Sequence, residues 1–398
     1  YVAGVGALFN MEVQFNNAGA PVNGTTHDFV SIGGSATGAT TLLNIIAFPP
    51  SGAPAATTGN GMELVRVGGA TSAGQFALAA PVFQGAYQYV LAYMPNYSGA
   101  LDGYFLQSRL GEGLFGDAAM FSAGQAMTGA CFRGTDELVG DGTRSTAGRS
   151  WAKVTIGSRS TGPDTGIDSE QDFNCGSGGL DVRVAGNMRA GVSGGYGTTN
   201  VEVQTLAGVG KLDGDGGMIQ GFLGYAHEHM FANLSLGYGN INWNFDGPAS
   251  VPTTATTGGV IGSLQAGMLW PMGVWRFGAM AELGYDDMTC GDQCLLAGTV
   301  EDINNWSVKG TMRLDGTMSG GKLLPFLAVS LSEGGSNTVT NGTASITTDT
   351  ASSLLNAKAG ITALVGSNTA VFLNAGVTEG LSNEVSGFDA TAGVKLHW

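Results

Sequence analysis

The chain has 398 residues, of which 68 are glycine and 12% are charged, and its formal net charge is −15. Glycine usually makes up about 7% of a chain and charged residues about 25%. The acidic balance excludes a nucleic-acid partner, because neutralising phosphates requires Lys and Arg. No apolar run reaches the roughly 18 residues of a transmembrane helix. A transmembrane β-barrel does fit, since only every second residue of its strands must be apolar.

Residues 1–110 predict short strands separated by turns. The strand-like stretches are 9–15, 41–46, 62–67, 75–78 and 87–91, with Gly, Pro, Asn and Ser between them. Such spacing is typical of a sandwich, a barrel or the coils of a β-helix. No signal peptide precedes Tyr1, and the sequence opens inside a domain, so we expect a mature chain or a fragment.

Residues 111–149 have a different character. Asp117–Met127 is rich in Ala and Met and is the best helix candidate of the chain, although Gly124 and Gly129 weaken it. The faces of this helix are small and mixed, which does not favour a strong core helix. Gly140–Gly148 then predicts a loop.

Residues 150–398 predict twelve strands. Short turns alternate with longer polar loops, as in outer-membrane barrels, and an even number of strands leaves both ends of the barrel on the short-turn side. The predicted strands lie near residues 150–158, 171–185, 188–204, 216–228, 230–245, 259–270, 273–288, 300–314, 321–334, 351–364, 368–379 and 385–398.

The strands alternate between an aliphatic face and a small or charged face. In the last strand Phe388, Val394 and Leu396 share one face, and Asp389 shares the other with basic residues. This pattern indicates lipid outside and water inside, because such small residues would pack a soluble core poorly. A wet lumen tolerates charges, or the charges pair with each other and with a lumen segment and set the resting conductance. The charges of lumen parity are Lys153, Arg183, Arg276, Glu282, Lys395 and His397.

Three stretches carry a family resemblance. Residues 151–153 read Trp-Ala-Lys after a long linker, and residues 28–38 follow the pattern D-F-V-x-I-x-G-x-A-x-G. The C-terminal stretch is similar to the signal read by the outer-membrane assembly machinery, and its matching residues are Thr391, Gly393, Leu396 and Trp398. Taken from residues 28–38 through 151–153 to the C-terminus, the three stretches resemble the autotransporters of Gram-negative bacteria, which carry out type V secretion.

The resemblance implies an all-β fold in three parts. Residues 1–110 would be the end of a pertactin-like passenger, a short right-handed β-helix that is autochaperone-like. Residues 111–149 would be a linker whose helix plugs the lumen, and residues 150–398 a twelve-stranded antiparallel transmembrane β-barrel. The passenger's last rungs would fold first outside the cell and template the others, since each rung buries its face on a neighbour.

The resemblance also implies a function and partners. The protein would be an outer-membrane translocator that exports its own N-terminal passenger and displays it on the cell surface. Its partners would be outer-membrane lipid and lipopolysaccharide, and the assembly machinery and periplasmic chaperones during biogenesis. We expect a monomeric barrel without a cofactor or metal.

The four cysteines suggest disulfides, as expected in an exported protein. Cys175 has lumen parity and Cys131 ends the plug segment, so a bridge between them would fix the helix to the wall. Two buried thiols or another pairing stay open, because the Cα separation cannot be read from a sequence. Cys290 and Cys294 share one outer loop, where a local disulfide is favoured over a metal clip that has only two ligands.

We expect no enzymatic activity in this chain. Gly191–Gly195 matches G-x-S-x-G, but it lies within a predicted strand instead of the strand-to-helix turn that a nucleophile elbow requires. Some autotransporters cut their own linker at an Asn, and residues 111–149 contain none. The acidic residues of this segment leave another cleavage chemistry open, namely Asp117, Asp136, Glu137 and Asp141.

Two other functions stay open at this point. In one, the barrel anchors a surface adhesin or structural layer protein, and residues 1–110 bind the target. In the other, the barrel is a passive porin. The segment 111–149 argues against a porin, since a porin does not need a linker between two β domains.

Overall fold

A computed structural model of the chain describes residues 1–15, 27–48, 56–132, 147–248, 253–303, 306–351 and 353–398. Its N-terminal part is a stack of short strands. These strands are β1 (Val2–Ala3), β2 (Leu8–Val13), β3 (Val30–Ile32), β4 (Thr37–Gly38), β5 (Thr41–Ala47), β6 (Met62–Val67), β7 (Phe76–Leu78), β8 (Val82–Gln84), β9 (Tyr87–Ser98) and β10 (Leu101–Leu110).

Parallel pairing defines this stack. Strand β5 pairs parallel with β2 on one side and with β7 on the other, β1 pairs parallel with β4, and β3 with β6. Met11, Val13 and Leu43 are buried between the rungs. Parallel strands repeated in this way form the coils of a β-helix. The antiparallel pair β9–β10 adds to β6 and ends the stack.

A single long helix follows. Helix α1 (Glu112–Cys131) begins after Gly111, whose amide donates to the carbonyl of Ala86 at 2.7 Å. It extends beyond both ends of the predicted Asp117–Met127 because it packs inside the barrel, where tertiary contacts compensate for its glycines. Within the described residues, no helix is both long and apolar enough to cross a bilayer. The other helical pieces are 3₁₀ turns at Pro163–Thr165, Gly291–Gln293 and Ser319–Gly321.

The C-terminal part is a closed antiparallel barrel of twelve strands, as predicted. The last strand pairs with the first, so no edge of the barrel is left open. Closure satisfies the backbone polar groups that water cannot reach in lipid. The strands of this part are β11 (Gly148–Thr161), β12 (Ser169–Ala185), β13 (Met188–Thr205), β14 (Gly208–His227), β15 (Met230–Asp246), β16 (Thr253–Met272), β17 (Trp275–Thr289), β18 (Val300–Ile303), β19 (Trp306–Gly316), β20 (Leu323–Gly334), β21 (Asn337–Asn341), β22 (Ala344–Thr348), β23 (Leu354–Leu364), β24 (Thr369–Gly380) and β25 (Val385–His397).

The two faces of the wall differ as the alternation predicts. Ile219 and Leu236 point outward and are 68% and 62% exposed. Trp243 and Phe245 point into the lumen and are buried. Aliphatic residues thus cover the outside of the barrel, which is the arrangement of a transmembrane barrel.

Three strands of this part do not belong to the barrel. The predicted strand 300–314 is wrong as one element, because β18 and β19 are separate and only β19 joins the wall. Strand β18 instead pairs with β21, which pairs with β22, and this small sheet contacts helix α1 through Asn337. The first barrel strand starts at Gly148, two residues before the predicted boundary at Ser150. Gly148 can begin the strand because it exchanges two backbone hydrogen bonds with Trp398.

Candidate functional site in the barrel lumen

Helix α1 packs against one side of the lumen. Gly124 faces Trp243 and Ile241, so that a Cβ placed on this glycine would lie 3.5 Å from the Trp243 ring. Gln171 of β12 donates to the carbonyl of Ala123 at 3.0 Å and so bonds the helix backbone to the wall. The many small residues of the helix, which weaken it in isolation, let its backbone approach these aromatic rings closely.

A disulfide joins the end of the helix to the same wall. Cys131 and Cys175 are bonded, with their Cα atoms 6.0 Å apart, and both are buried. Just beyond, the carbonyl of Phe132 accepts a hydrogen bond from Gln220 at 3.3 Å. The bridge therefore holds the inner end of the helix against β12, as lumen parity of Cys175 suggests.

The outer end of the helix is held by a loop between β17 and β18. The carboxylate of Asp117 accepts hydrogen bonds from the amides of Leu295 and Leu296, at 2.9 and 3.3 Å, and from the Thr299 hydroxyl at 2.8 Å. Asp117 is fully buried, and this burial raises its pKa to about 7 despite the three donors. Asp117, one of the acidic residues considered for cleavage, therefore fixes the outer end of the helix to the loop in this structure.

The outer sheet and the residues that follow it each add one contact with the helix. Gln125 accepts a hydrogen bond from the Asn337 amide of β21 at 2.7 Å, and Ser122 donates to Thr350 at 3.0 Å. Because loop, sheet and wall all contact the helix, its removal from the lumen would have to break polar contacts at both ends.

The second cysteine pair lies in the outer loop. Cys290 and Cys294 are bonded, and their Cα atoms are 5.1 Å apart. Glu301 of β18 lies beside them and accepts hydrogen bonds from the amides of Cys290 and Gly291, both at 3.1 Å. Partial burial raises the Glu301 pKa. If both cysteines were reduced, Glu301 could join them as a third metal ligand. In the disulfide, neither cysteine offers the thiolate that binds a metal.

Five of the six predicted lumen charges are buried or half-buried, and Arg183 is exposed. Lys153 and Lys395 are buried, and each ammonium lies near an aromatic ring, Trp151 at 5.8 Å and Phe372 at 5.2 Å. Glu282 forms an ion pair of 2.8 Å with Lys309. Arg183 and Arg276 lie near the short-turn ends of their strands, and His397 is buried beside the seam between β25 and β11.

Several ion pairs of the lumen are absent from the sequence-based prediction. Arg149 pairs with Asp181 at 2.8 Å, and Arg189 pairs with the same carboxylate. Arg313–Asp315 and Lys358–Asp389 pair at 2.9 and 3.0 Å. Strict alternation along each strand would have assigned these residues to the lumen, but the pairing between strands depends on register.

The C-terminal signal forms the strand that closes the barrel. Thr391 lies in the lumen, 3.0 Å from the hydroxyl of Thr155 on β11. A Cβ on Gly393 would collide with the Phe372 ring and with the carbonyl of Ala152. Leu396 and Trp398 point outward and are about half exposed, at 45% and 56%. The residues of the predicted signal therefore have a structural role in closing the seam between β25 and β11.

The G-x-S-x-G match contains one serine, Ser193. Ser193 lies inside β13 and faces the lumen, far from the strand-to-helix turn of a nucleophile elbow. Asp136, Glu137 and Asp141 lie outside the described residues.

A closed twelve-stranded barrel with a helix in its lumen and a β-helix at its outer mouth is the architecture of a translocator. Residues 150–376 match the model of the autotransporter β-domain, and residues 2–91 match that of the type 1 autochaperone domain. The chain belongs to the autotransporter family. It is an outer-membrane protein that exports a passenger. No curated protein sequence matches the chain.

Solved structures share the fold. The transport unit of the autotransporter AIDA-I from Escherichia coli is 12% identical, with a TM-score of 0.58 over 71% of this chain and 99% of that one. The translocator domain of the autotransporter NalP from Neisseria meningitidis is 15% identical, with a TM-score of 0.54 over 72% of this chain and 100% of that one.

Proposed function

We propose that the barrel displays residues 1–110 on the cell surface and retains helix α1 as a plug after export. The proposal is carried by the continuity of the chain at the outer mouth: β10 ends at Leu110 and the helix enters the lumen from Glu112. The end of the β-helix also contacts loops of the C-terminal part. The hydroxyls of Tyr87 and Thr343 share a hydrogen bond of 2.7 Å, and Arg109 donates to the carbonyl of Leu206 at 2.9 Å.

The same arrangement distinguishes the alternatives. A passive porin needs an open lumen, whereas this lumen holds a helix fixed by a disulfide and by the Asp117 contacts. We propose no enzymatic activity for residues 1–398. The proposed surroundings are outer-membrane lipid and lipopolysaccharide around a monomeric barrel, with the assembly machinery and periplasmic chaperones acting during biogenesis. An adhesive function would belong to the displayed β-helix.

Planar-bilayer recording tests the plug. The chain of 398 residues should conduct weakly, and a chain that begins at Ala147, just before the first barrel strand, should conduct several times more. Equal, large currents from both would refute the plug and favour a porin. Surface display is tested separately by adding protease to intact cells, which should remove residues 1–110 and spare the barrel. Protection of these residues in intact cells, with cleavage after lysis, would refute display.

A further inference from the structure

Helix α1 does not fill the whole width of the lumen. A cavity of about 310 Å³ lies on the side of the helix away from Trp243. The helix presents only small or polar residues to this cavity, which are Ser122, Gln125, Ala126, Gly129 and Ala130. These five residues recur at helical spacing and form one face. The helix therefore packs against Trp243 with one side and faces the cavity with the other.

The cavity extends along the barrel axis. Thr350 and Gly335 line it near the outer end, Lys153 and Thr391 line it near the middle of their strands, and Arg313 lines it toward the short-turn end. Arg313 is three residues from the end of β19, and strands rise about 3.3 Å per residue. On the side of β19 the cavity therefore extends from the outer end to within a few residues of the short turn, and its lining carries several charged side chains.

The charges around this space are unevenly distributed. Among the described strands of the barrel, ten basic side chains have lumen parity, against five acidic ones. The rest of the barrel is acidic, in keeping with a net charge of −15 for the whole chain. The basic residues are Arg149, Lys153, Arg159, Arg183, Arg189, Arg276, Lys309, Arg313, Lys358 and Lys395, and the acidic residues are Asp181, Glu282, Asp286, Asp315 and Asp389.

The cavity lining repeats this excess. It contains five basic residues, Lys153, Arg159, Lys309, Arg313 and Lys358, against three acidic residues, Glu282, Asp286 and Asp389. Ion pairs such as Lys358–Asp389 leave the net positive charge unchanged. A narrow space with low-dielectric walls and one dominant sign of charge concentrates counter-ions.

We propose that the plugged barrel conducts small inorganic anions past the helix. The inference rests on the proposed function, because it assumes that the helix stays in the lumen. The path runs between the helix face of Ser122 and Ala126 and the wall formed by β19, β20, β23 and β25. Chloride would exchange its hydration partly for the lysine and arginine side chains, while potassium is repelled.

The test is the reversal potential of the complete, disulfide-bonded chain in a planar bilayer with a KCl gradient. We expect a chloride-to-potassium permeability ratio of about ten, the low end of enrichment by charged clefts. Lys153→Gln should lower the ratio several-fold, and Glu282→Gln should raise it. Lys211→Gln is the matched control, because Lys211 lies on the outer surface beside Glu202, at 3.4 Å, and carries the same charge.

The outcomes separate the two proposals. Weak current that is unselective or cation-selective would overturn anion conduction and leave the plug intact. An inserted protein that passes no current would do the same. A large current equal to that of the chain without the helix would overturn the plug itself. An equal effect of Lys211→Gln would show that overall charge, and not the lumen, sets the selectivity.

Discussion

The disulfide between Cys131 and Cys175 should stabilise the protein much more than the one between Cys290 and Cys294. A disulfide stabilises mainly by restricting the unfolded chain, and this effect grows with the length of the loop that it closes. The first bridge spans 44 residues and the second spans 4. The chain-entropy relation gives about 4 kcal/mol for the first and about 2 kcal/mol for the second.

Two variants isolate the bridges. Cys290→Ala with Cys294→Ala leaves only the bridge from helix to wall, and Cys131→Ala with Cys175→Ala leaves only the loop bridge. Each variant is unfolded by urea in detergent micelles, once in its oxidised form and once in its reduced form. Tryptophan fluorescence monitors the unfolding. Trp243 reports on the lumen because it contacts the helix at Gly124. Comparing redox states of one variant cancels the packing effects of the alanines.

The reasoning predicts a difference of about 2 kcal/mol between the two reduction effects. In bilayers, reduction of the first variant should also lengthen open times, since only non-covalent contacts, such as those of Asp117 and Gln171, would then hold the helix. Equal reduction effects, or a larger effect for the loop bridge, would refute the loop-length argument. Unchanged open times would show that the bridge does not hold the plug.

Three further predictions follow from single contacts. The folded-state pKa of Asp117 is raised to about 7, so the protonated carboxyl stabilises the plugged state. This contribution is complete below the unfolded pKa near 3.8 and is lost as the pH rises through 7. Plug openings should therefore increase from pH 5 to pH 8 in bilayer recordings, and a pH response that persists in Asp117→Asn would contradict this assignment. Gly129→Ala should stabilise the chain to urea by about 1 kcal/mol, since the helix gains propensity and a Cβ there meets nothing within 4 Å. Gly116→Ala should gain less, because its Cβ would lie 3.0 Å from Leu295, and an equal gain would refute this steric account. Gly393→Ala should reduce the folded, heat-modifiable band on semi-native gels, because its Cβ would collide with a backbone carbonyl across the seam. Gly310→Ala, which has open space, is the control, and equal yields would argue against a steric role for Gly393.

Much of the barrel could be predicted from local sequence. Alternation with period two assigns each residue to lipid or lumen without knowledge of its neighbours, so the inward position of Lys395 and the outward position of Leu396 follow from the chain alone. The number of strands follows from the same alternation and from the spacing of turns. The sequence predicts the helix but underestimates its length, because Gly113 and Gly129 lower the intrinsic helix propensity and burial in the barrel compensates for this loss.

Long-range contacts could not be predicted in this way. The break between β18 and β19 depends on β21, which lies far along the chain and draws β18 out of the wall. The contact of Asp117 with Leu295 joins residues 178 positions apart. No periodicity in the sequence predicts such a pair, because either residue is equally compatible with a solvated loop.

The sequence by itself determined the class of fold, the faces of the wall and the order of passenger, helix and barrel. These follow from side-chain periodicity, composition and motifs that act over a few residues. Only the tertiary structure decided which side of the lumen the helix occupies, which charges pair and where a cavity remains. Those features depend on strand register and on the packing of Gly124 against Trp243, which bring together residues from distant parts of the chain.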